Sequence, residues 1–342
     1  MDDCSPDNTA EVAQSFQDAR VKYIRNDTNL GHLCNYNKGI DLSLGKYIWL
    51  ISADDCLRRS YVLERYVEQM DRNPSVGYSC CAGVGLKNGL ETGILDYTVY
   101  ANRDRIVRGH EFLKTLLKGN IILSASGLVR RECYDQLGTF PLDMLYAGDW
   151  YLWCLFALHF DVAYFADPMV CYREHDLSMT NTLMTKSFEA CCEEDVTIPW
   201  IIKEQADSAY FRRVSRDCMR SLGYIYGRSM ASKRYPNCKA MMTWKQFEES
   251  LHRHVSTEDE QVFIRSQAFA TMADEYFSMD DISSARHYYQ ASLSYDRWNV
   301  MIYMKMLFLN LGHPGKSFRK AVRLAREKGI LCKLLRNGSN QY

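Results

Sequence analysis

Residues 46–55, KYIWLISADD, contain an almost unbroken apolar run that ends in two adjacent acidic residues. A run of this kind predicts a strand buried on both faces, which is typical of a parallel sheet covered by helices. Asp54 and Asp55 then lie at the carboxyl end of that strand, where open α/β sheets bind their ligands. The segment therefore predicts both a class of fold and a place for function.

The sequence around this segment alternates between strand and helix patterns. Residues 21–24, with β-branched and aromatic residues, and residues 76–84, with small residues, are predicted strands. Residues 32–44 and 60–72 carry apolar residues at helical spacing. Because such alternation usually builds parallel sheets, residues 1–182 predict an α/β domain with a mostly parallel sheet flanked by helices.

The C-terminal part has a different character, since the strand patterns disappear after about residue 185. Residues 183–342 predict an all-α domain of successive amphipathic helices. Within it, residues 269–292 place aromatic and small residues at offsets that approximate a tetratricopeptide unit, in which small residues let two helices pack closely. An ordinary helical hairpin explains the same spacing, and the sequence leaves both alternatives open.

Composition excludes several classes of protein. Lys and Arg together number 42, as do Asp and Glu, so no net charge favours nucleic acid as a partner. The 13 cysteines include no Cys-x-x-Cys pair, which predicts free thiols in a reducing compartment rather than disulfides or a zinc site. The stretch nearest to a membrane span, residues 150–165, is interrupted by His159 and Asp161, so we expect a soluble cytoplasmic protein.

Asp54 and Asp55 are the first candidates for chemistry. Two adjacent carboxylates repel each other, and a cation or sugar hydroxyls between them would relieve the repulsion. Carboxylate oxygens that leave coordination positions open suit Mg²⁺ or Mn²⁺ bridging to phosphate. A solvated turn that caps the helix near Ser60 is the structural alternative, and both interpretations stay open for this segment alone.

Four more segments carry polar residues at predicted strand ends or helix starts. Asp149 follows Gly148 at the start of an apolar helix, where it can also act simply as a cap. The other three are the acidic start DDCSPDNT (2–9), the amide- and glycine-rich turn NDTNLGHLCNYNKG (26–39) and the segment YREH (172–175). Each has an ordinary structural explanation when taken alone.

Taken in order, DDCSPDNT, the turn at 26–39, SADD, GDW and YREH resemble the motifs of the family 2 glycosyltransferases of the GT-A fold. The resemblance covers about residues 1–182 and implies a nucleotide-diphospho-sugar transferase fold. Family members place a strand, a helix and a second strand before the acidic loop. We therefore expect a GT-A domain that lacks this first strand-helix-strand, followed by the helical domain at 183–342.

The resemblance also implies roles for individual residues. It implies that Asp149 is the general base, which removes a proton from the acceptor hydroxyl and gives inversion at the anomeric carbon. It implies that Mg²⁺ or Mn²⁺ is bound by Asp54, Asp55 and His175. It implies that the nucleotide sugar is bound by Asp2, Asp3, Asn29, Gly31, Asn37, Asp54 and Arg173.

Three positions depart from the family pattern. Ser52 stands in place of the first acid of the usual D-x-D-D stretch, Gly148 in place of an acid before the base, and Tyr36 in place of an arginine. The first departure weakens ribose or metal contact, and the second leaves Asp149 to act alone. Residues 85–108 lie where acceptor loops commonly sit in this family.

Two functions are compatible with the resemblance. The first is an inverting, metal-dependent hexosyltransferase that moves a sugar from a nucleotide-sugar donor to a hydroxyl of a glycan or lipid-linked acceptor, in cell-surface polysaccharide or lipopolysaccharide assembly. The second is a catalytically impaired, truncated transferase that serves as a nucleotide-sugar-binding or protein-interaction scaffold. The helical domain is then the expected surface for a protein partner or a second copy, and peripheral association at the inner face of the membrane fits the first function.

Overall fold

The computed structural model describes residues 1–206, 211–231 and 242–310. The chain divides into two compact units, Met1–Val214 and Ser215–Tyr342. The first unit contains the sheet, and the described residues of the second unit contain helices and their connections. The compact first unit thus extends past residue 182, where the sequence predicts the domain boundary. That boundary stays a prediction.

One sheet organises the first unit. Its described strands are β1 (Tyr47–Trp49), β2 (Cys56–Leu57), β3 (Val76–Lys87), β4 (Leu90–Ile94), β5 (Arg105–Val107), β6 (Leu128–Arg130) and β7 (Asp161–Arg173). They are ordered β1-β6-β3-β7-β2, with β4 added to β3 and β5 added to β7. The two long strands, β3 and β7, therefore form the centre of the sheet.

The predicted α/β fold, a sheet flanked by helices, is confirmed, but its sheet is mixed rather than mostly parallel. β3 and β7 pair in parallel, whereas the other described strand pairs are antiparallel. β4 returns directly onto β3 through a turn at Asn88 and Gly89, both with positive φ. The predicted strand at residues 21–24 is replaced by an isolated parallel bridge between Asp2 and Arg25. An alternating pattern identifies strands and helices but not the direction in which short strands pair.

β1, which the sequence predicts to be buried on both faces, is short and only partly buried. Ile48 is its buried residue. Tyr47 donates its hydroxyl to Asp71 Oδ1 at 2.6 Å, and Trp49 donates its indole N–H to the carbonyl of Ala125 at 2.9 Å. β1 ends the described strand order, so it has a strand neighbour on one side, and aromatic side chains with polar ends suit that position.

The first unit also contains helices, several of which pack on the sheet. They are α1 (Thr9–Gln14), α2 (His32–Leu42), α3 (Val62–Arg72), α4 (Gly109–Leu116), α5 (Arg131–Leu137), α6 (Gly148–His159), α7 (Met179–Lys186) and α8 (Phe188–Gln205). The helices predicted at 32–44 and 60–72 correspond to α2 and α3. The apolar helix predicted after Gly148 corresponds to α6, whose side chains are mostly buried.

The core of the first unit lies where α3 packs on the sheet. Val62, Tyr66 and Met70 are fully buried, and their spacing places them on one face of α3 in a cluster with residues of β3 and β7. The Tyr66 ring lies 5.3 Å from the ring of Trp49 and 5.0 Å from that of Phe165. Each such side chain contributes roughly 1.5–3 kcal/mol on burial. This packing fixes β1 and β7, and with them the loops at their ends.

The remaining described helices are α9 (Phe211–Met230), α10 (Trp244–His254), α11 (Glu258–Ser278), α12 (Ile282–Tyr295) and α13 (Val300–Asn310). α11 and α12 form a helical hairpin over the predicted segment, with Ala273 and Ala285 fully buried in one apolar cluster. The parts of the predicted helical domain at 207–210, 232–241 and 311–342 lie outside the described residues. None of the described helices combines the length and the apolar character needed to cross a membrane.

Candidate active site

The predicted pair of acids lies in the turn between β1 and β2. The backbone N–H of Asp55 donates to the carbonyl of Ser52 at 3.1 Å, which closes the turn. Burial raises the pKa of Asp55 to about 6, and the neighbouring charge of Asp54 acts in the same direction. A carboxylate in this environment is stabilised in its charged form by a cation placed beside it.

The end of β7 meets this turn because β2 pairs with β7. Arg173 donates its backbone N–H to Asp55 Oδ1 at 2.9 Å and its Nε–H to the carbonyl of Asp54 at 2.7 Å. Nε2 of His175 lies 3.0 Å from Asp54 Oδ2. The structure therefore brings together four of the predicted site residues: Asp54, Asp55, Arg173 and His175.

Asp149 occupies the second position of α6, close to the positive end of the helix dipole. Its Oδ1 accepts the backbone N–H of Trp150 at 2.6 Å, and Nδ2 of Asn120 lies 3.4 and 3.3 Å from its two oxygens. Burial raises the pKa of Asp149 to about 6 in spite of these hydrogen bonds, which act in the opposite direction. The residue remains partly accessible to solvent, so it can both ionise near neutral pH and meet a substrate.

Tyr36 links Asp149 with the acids of the β1–β2 turn. Its hydroxyl lies 3.5 Å from Oγ of Ser52. Burial raises the pKa of Tyr36, and so do the charges of three carboxylates, those of Asp149, Asp54 and Asp55. The three carboxylates are therefore near enough for their charges to act on Tyr36. Through its contact with Ser52, the family position occupied by Tyr36 lies beside the β1–β2 turn.

The same region also contains Tyr97, Tyr172 and Glu174. Their residue types alone do not suggest a role in the site. Burial raises the pKa of Tyr97 to about 12, and Tyr172, Glu174, Asp55 and Asp149 add to the effect. Tyr97 is 53% exposed, so its ring is available for contact. The sequence could have pointed to these three residues, because Tyr172 and Glu174 lie within YREH and Tyr97 lies within the predicted acceptor segment.

Asp2 is buried at the acidic start of the chain. It is 5% exposed, and its Oδ1 accepts the N–H of Ser5 at 2.8 Å while its Oδ2 accepts the hydroxyl of Tyr23 at 2.5 Å. The hydrogen bonds from Ser5 and Tyr23 lower the pKa of Asp2 to about 2. Both carboxylate oxygens are thus engaged in holding the loop.

Asp3 joins the two loops that the sequence predicts for nucleotide binding. Its Oδ1 accepts Nδ2–H of Asn26 and the backbone N–H of Leu30, each at 2.8 Å. Burial acts to raise the pKa of Asp3, but hydrogen bonds from Leu30, Asn26 and Gly31 outweigh it, so that the pKa is lowered. This carboxylate therefore helps to hold the acidic start against the turn at 26–39, together with the bond from the Asn26 N–H to the Asp2 carbonyl.

The other predicted nucleotide-binding residues lie on α2 or just before it. Oδ1 of Asn29 accepts the N–H of Gly31 at 3.0 Å, and Gly31 adopts φ 83°, which favours glycine. Asn37 donates Nδ2–H to the carbonyl of Phe140 at 2.8 Å and accepts the Phe140 N–H at 2.9 Å. The amide of Asn37 thus ties α2 to the loop after α5 rather than lining the turn before α2.

The predicted metal ligands offer carboxylate oxygens but do not enclose an ion. Among the described residues, no group of three or more His, Cys, Asp or Glu side chains is placed to hold a metal ion. His175 is hydrogen-bonded to Asp54, one of the other two predicted ligands. Asp54 and Asp55 still fit Mg²⁺ or Mn²⁺, because Mg²⁺ in particular is usually held by one or two protein carboxylates, with phosphate and water completing its shell.

The sequence model of Glycosyl transferase family 2 matches residues 1–126, which include the acidic start, the turn at 26–39 and the Asp54–Asp55 pair. Residues 1–126 are therefore similar in sequence to the family 2 glycosyltransferases. The mixed sheet with flanking helices fits the GT-A fold that the resemblance implies. Asp149, Arg173 and His175 lie beyond the matched residues, so their place in the site rests on the contacts described above.

Two curated proteins resemble part of this chain. Glycosyltransferase GlyG of Streptococcus pneumoniae is 28% identical over 78 residues, which cover 22% of this chain and 26% of GlyG. An uncharacterized glycosyltransferase of Methanocaldococcus jannaschii is 30% identical over 78 residues, which cover 22% of this chain and 27% of that protein. The chain therefore spans about a quarter of the length of each of these relatives.

Proposed function

We propose that this protein is an inverting hexosyltransferase that moves a sugar from a nucleotide-sugar donor to a hydroxyl of a glycan or lipid-linked acceptor, with Mg²⁺ or Mn²⁺ as cofactor. The observation that carries the proposal is the contact of Arg173 and His175 with Asp54 and Asp55, in a chain whose residues 1–126 match the family 2 glycosyltransferases. Cell-surface polysaccharide or lipopolysaccharide assembly on the cytoplasmic side of the membrane is the setting that we propose, by analogy with the family.

In this proposal Asp149 is the general base. A base is most effective when its pKa lies close to the working pH, and burial brings the pKa of Asp149 to about 6. The Trp150 N–H and the Asn120 amide hold the carboxylate in one orientation. The acceptor hydroxyl loses its proton to Asp149 as its oxygen attacks the anomeric carbon, and a single displacement inverts the configuration there.

In the same proposal, the acids of the β1–β2 turn bind the nucleotide-sugar donor. Asp54 and Asp55 would hold the cation, which when bound neutralises charge on the departing nucleoside diphosphate. Arg173 supports the same task, because its bond to the Asp54 carbonyl fixes the guanidinium beside the two acids. His175 orients Asp54 through the contact at 3.0 Å. Asp3 and the turn that it holds are proposed to contact the nucleoside.

The test is release of nucleoside diphosphate from a panel of UDP-, GDP- and dTDP-sugars with Mn²⁺ and sugar acceptors. We expect Asp149→Asn to lower kcat by about 10²- to 10⁴-fold, as is usual when a general base is removed. Asp143→Asn is the matched control, because Asp143 is an exposed acid on the loop before α6. Full activity in both the Asp149→Asn and Asp55→Asn variants would overturn the mechanism.

Calorimetry separates the enzyme from a scaffold. We expect nucleoside diphosphate to bind with a requirement for Mn²⁺, and Asp55→Asn to weaken that binding while Asp143→Asn does not. Tight binding of both nucleotide and donor without any turnover would instead support the interpretation of a binding protein.

A further inference from the structure

The loop that leads into α6 is held by a residue outside the matched family region. Oε2 of Glu194, on α8, accepts the backbone N–H of Tyr146 at 2.8 Å and that of Ala147 at 2.7 Å. Hydrogen bonds to an ionised acceptor are stronger than neutral ones. One carboxylate oxygen therefore fixes two consecutive peptide groups immediately before the helix that carries Asp149.

The same loop is also held by α2. Nε2 of His32 lies 3.0 Å from the carbonyl of Leu145, and since a carbonyl only accepts, Nε2 must carry the proton. Burial lowers the pKa of His32, whereas its bond to Leu145 and the charges of Glu194 and Asp3 act to raise it. The loop is thus fixed at three successive residues between α2 and α8.

Fixing this loop determines where α6 begins. Ala147 is the residue just before α6, and Asp149 is the second residue of the helix. The N–H groups at a helix start have no partner within the helix, so an acid beside them satisfies them and interacts favourably with the dipole. A shift of the backbone at Ala147 would carry Asp149 with it, because only one residue lies between them.

We propose that Glu194 is a positioning residue that holds Asp149 in place for proton transfer, so that α8 belongs functionally to the transferase site. The inference rests on the proposed function, in which Asp149 is the base. The inference extends the transferase site beyond residue 182. It does so because α8, which the sequence places in the helical domain, then contributes to catalysis. A loss of Glu194 then reduces the rate of the chemical step more than donor binding.

The first part of the experiment compares kinetic constants. We expect Glu194→Ala to lower kcat by about 10- to 100-fold while the KM for the donor changes by less than about twofold, as expected for a displaced catalytic group. Glu194→Gln should restore most of the rate, because the Gln oxygen can accept the same two N–H groups. Glu193→Ala is the matched control, since Glu193 is the exposed neighbour on α8.

The second part tests whether Glu194 acts through Asp149. In the Asp149→Asn background, we expect Glu194→Ala to lower the residual rate by less than about twofold, because residues that act as a unit are not additive. Hydrogen exchange in peptides covering residues 142–152 should quicken in Glu194→Ala and stay slow in Glu194→Gln. This readout does not depend on turnover, so it reports on the loop even in inactive variants.

The outcomes separate the inference from the function on which it rests. A wild-type rate for Asp149→Asn overturns the proposed base and the inference with it. An inactive Asp149→Asn together with a wild-type kcat for Glu194→Ala overturns the inference alone. Equal loss of rate from Glu194→Ala in both backgrounds also overturns it, because the effect would then not pass through Asp149.

Discussion

The surroundings of Asp149 and Asp55 raise the pKa of each carboxyl group, so that each stays protonated up to a higher pH than is usual for aspartate. Burial raises the pKa of each to about 6. For a base this is an advantage, because its strength rises with its pKa while roughly nine tenths of it remains ionised at pH 7. Asp55 is ionised to a similar degree at pH 7, and a cation beside it would lower its pKa.

The first prediction concerns the pH dependence of the reaction. We expect kcat to rise with pH through a midpoint near 6, the raised pKa of Asp149. Below that pH the carboxyl group is protonated and cannot accept the proton of the acceptor hydroxyl, whereas above it the carboxylate can. The measurement is kcat with saturating donor, acceptor and Mn²⁺ from about pH 5 to about pH 8. A profile that stays flat through pH 6 contradicts the assignment, and Asp143→Asn should keep the wild-type profile.

The second prediction concerns Asn37, whose structural contacts differ from its implied role. Asn37→Ala leaves the backbone N–H and carbonyl of Phe140 without their partners, which costs about 1–3 kcal/mol. We expect a lower free energy of unfolding in urea and a KM for the donor that is little changed. The exposed Asp41→Ala change on the same helix is the control. A large rise in the KM for the donor with an unchanged free energy of unfolding would contradict this prediction. Asn37 would then bind the donor, as the resemblance implies, rather than support the fold through Phe140.

At the scale of single residues, the sequence could identify Asp54, Asp55 and Asp149 because each directly follows a strand or opens a helix. That position is a local property, so the pattern reveals it. Tyr97 and Glu174 lie in segments that the sequence also singles out, the acceptor segment 85–108 and YREH. Their residue types do not distinguish them within those segments, and the structure was needed to do so.

At the scale of elements, the pairing of β2 with β7 assembles the site. It places the β1–β2 turn beside the end of β7, and the hydrogen bonds of Arg173 follow from that register. The sequence could mark both segments as candidates for a site without showing that they meet. The reason is that β2 contains two residues and gives no strand signal of its own.

The third prediction tests this register through two cysteines. Cys56 lies opposite Cys171 in the antiparallel pair, where Cα atoms are about 4.5–5.5 Å apart, a separation that a disulfide can span. Because Cys56 is exposed, we expect diamide to oxidise the pair in the folded protein, with the two peptides joined in a mass-spectrometric map. Cys171→Ser should abolish the joined peptides, and Cys34→Ser should not. Cys56 joined reproducibly to another cysteine would contradict the register.

At the scale of the whole molecule, the division of the chain follows packing rather than the change from strands to helices. Strand patterns end near residue 185, and the sequence therefore assigns α8 to the helical domain. In the structure, α8 belongs to the compact first unit, and Glu194 binds the loop before α6. A change in periodicity marks the kind of element that follows, but not the element against which it packs.

The last prediction belongs to the helical unit, where small residues allow close packing. Ala285 of α12 is fully buried in a cluster with Ala273 and Phe277 of α11, so a larger side chain has no space there. We expect Ala285→Leu to lower the free energy of unfolding by about 1–3 kcal/mol, the usual cost of overpacking. The measurement is urea unfolding of the full chain followed by circular dichroism. Ser283→Leu is the matched control, because Ser283 is exposed on the same helix. Equal stability of the two variants would mean that α11 and α12 are not packed through Ala285.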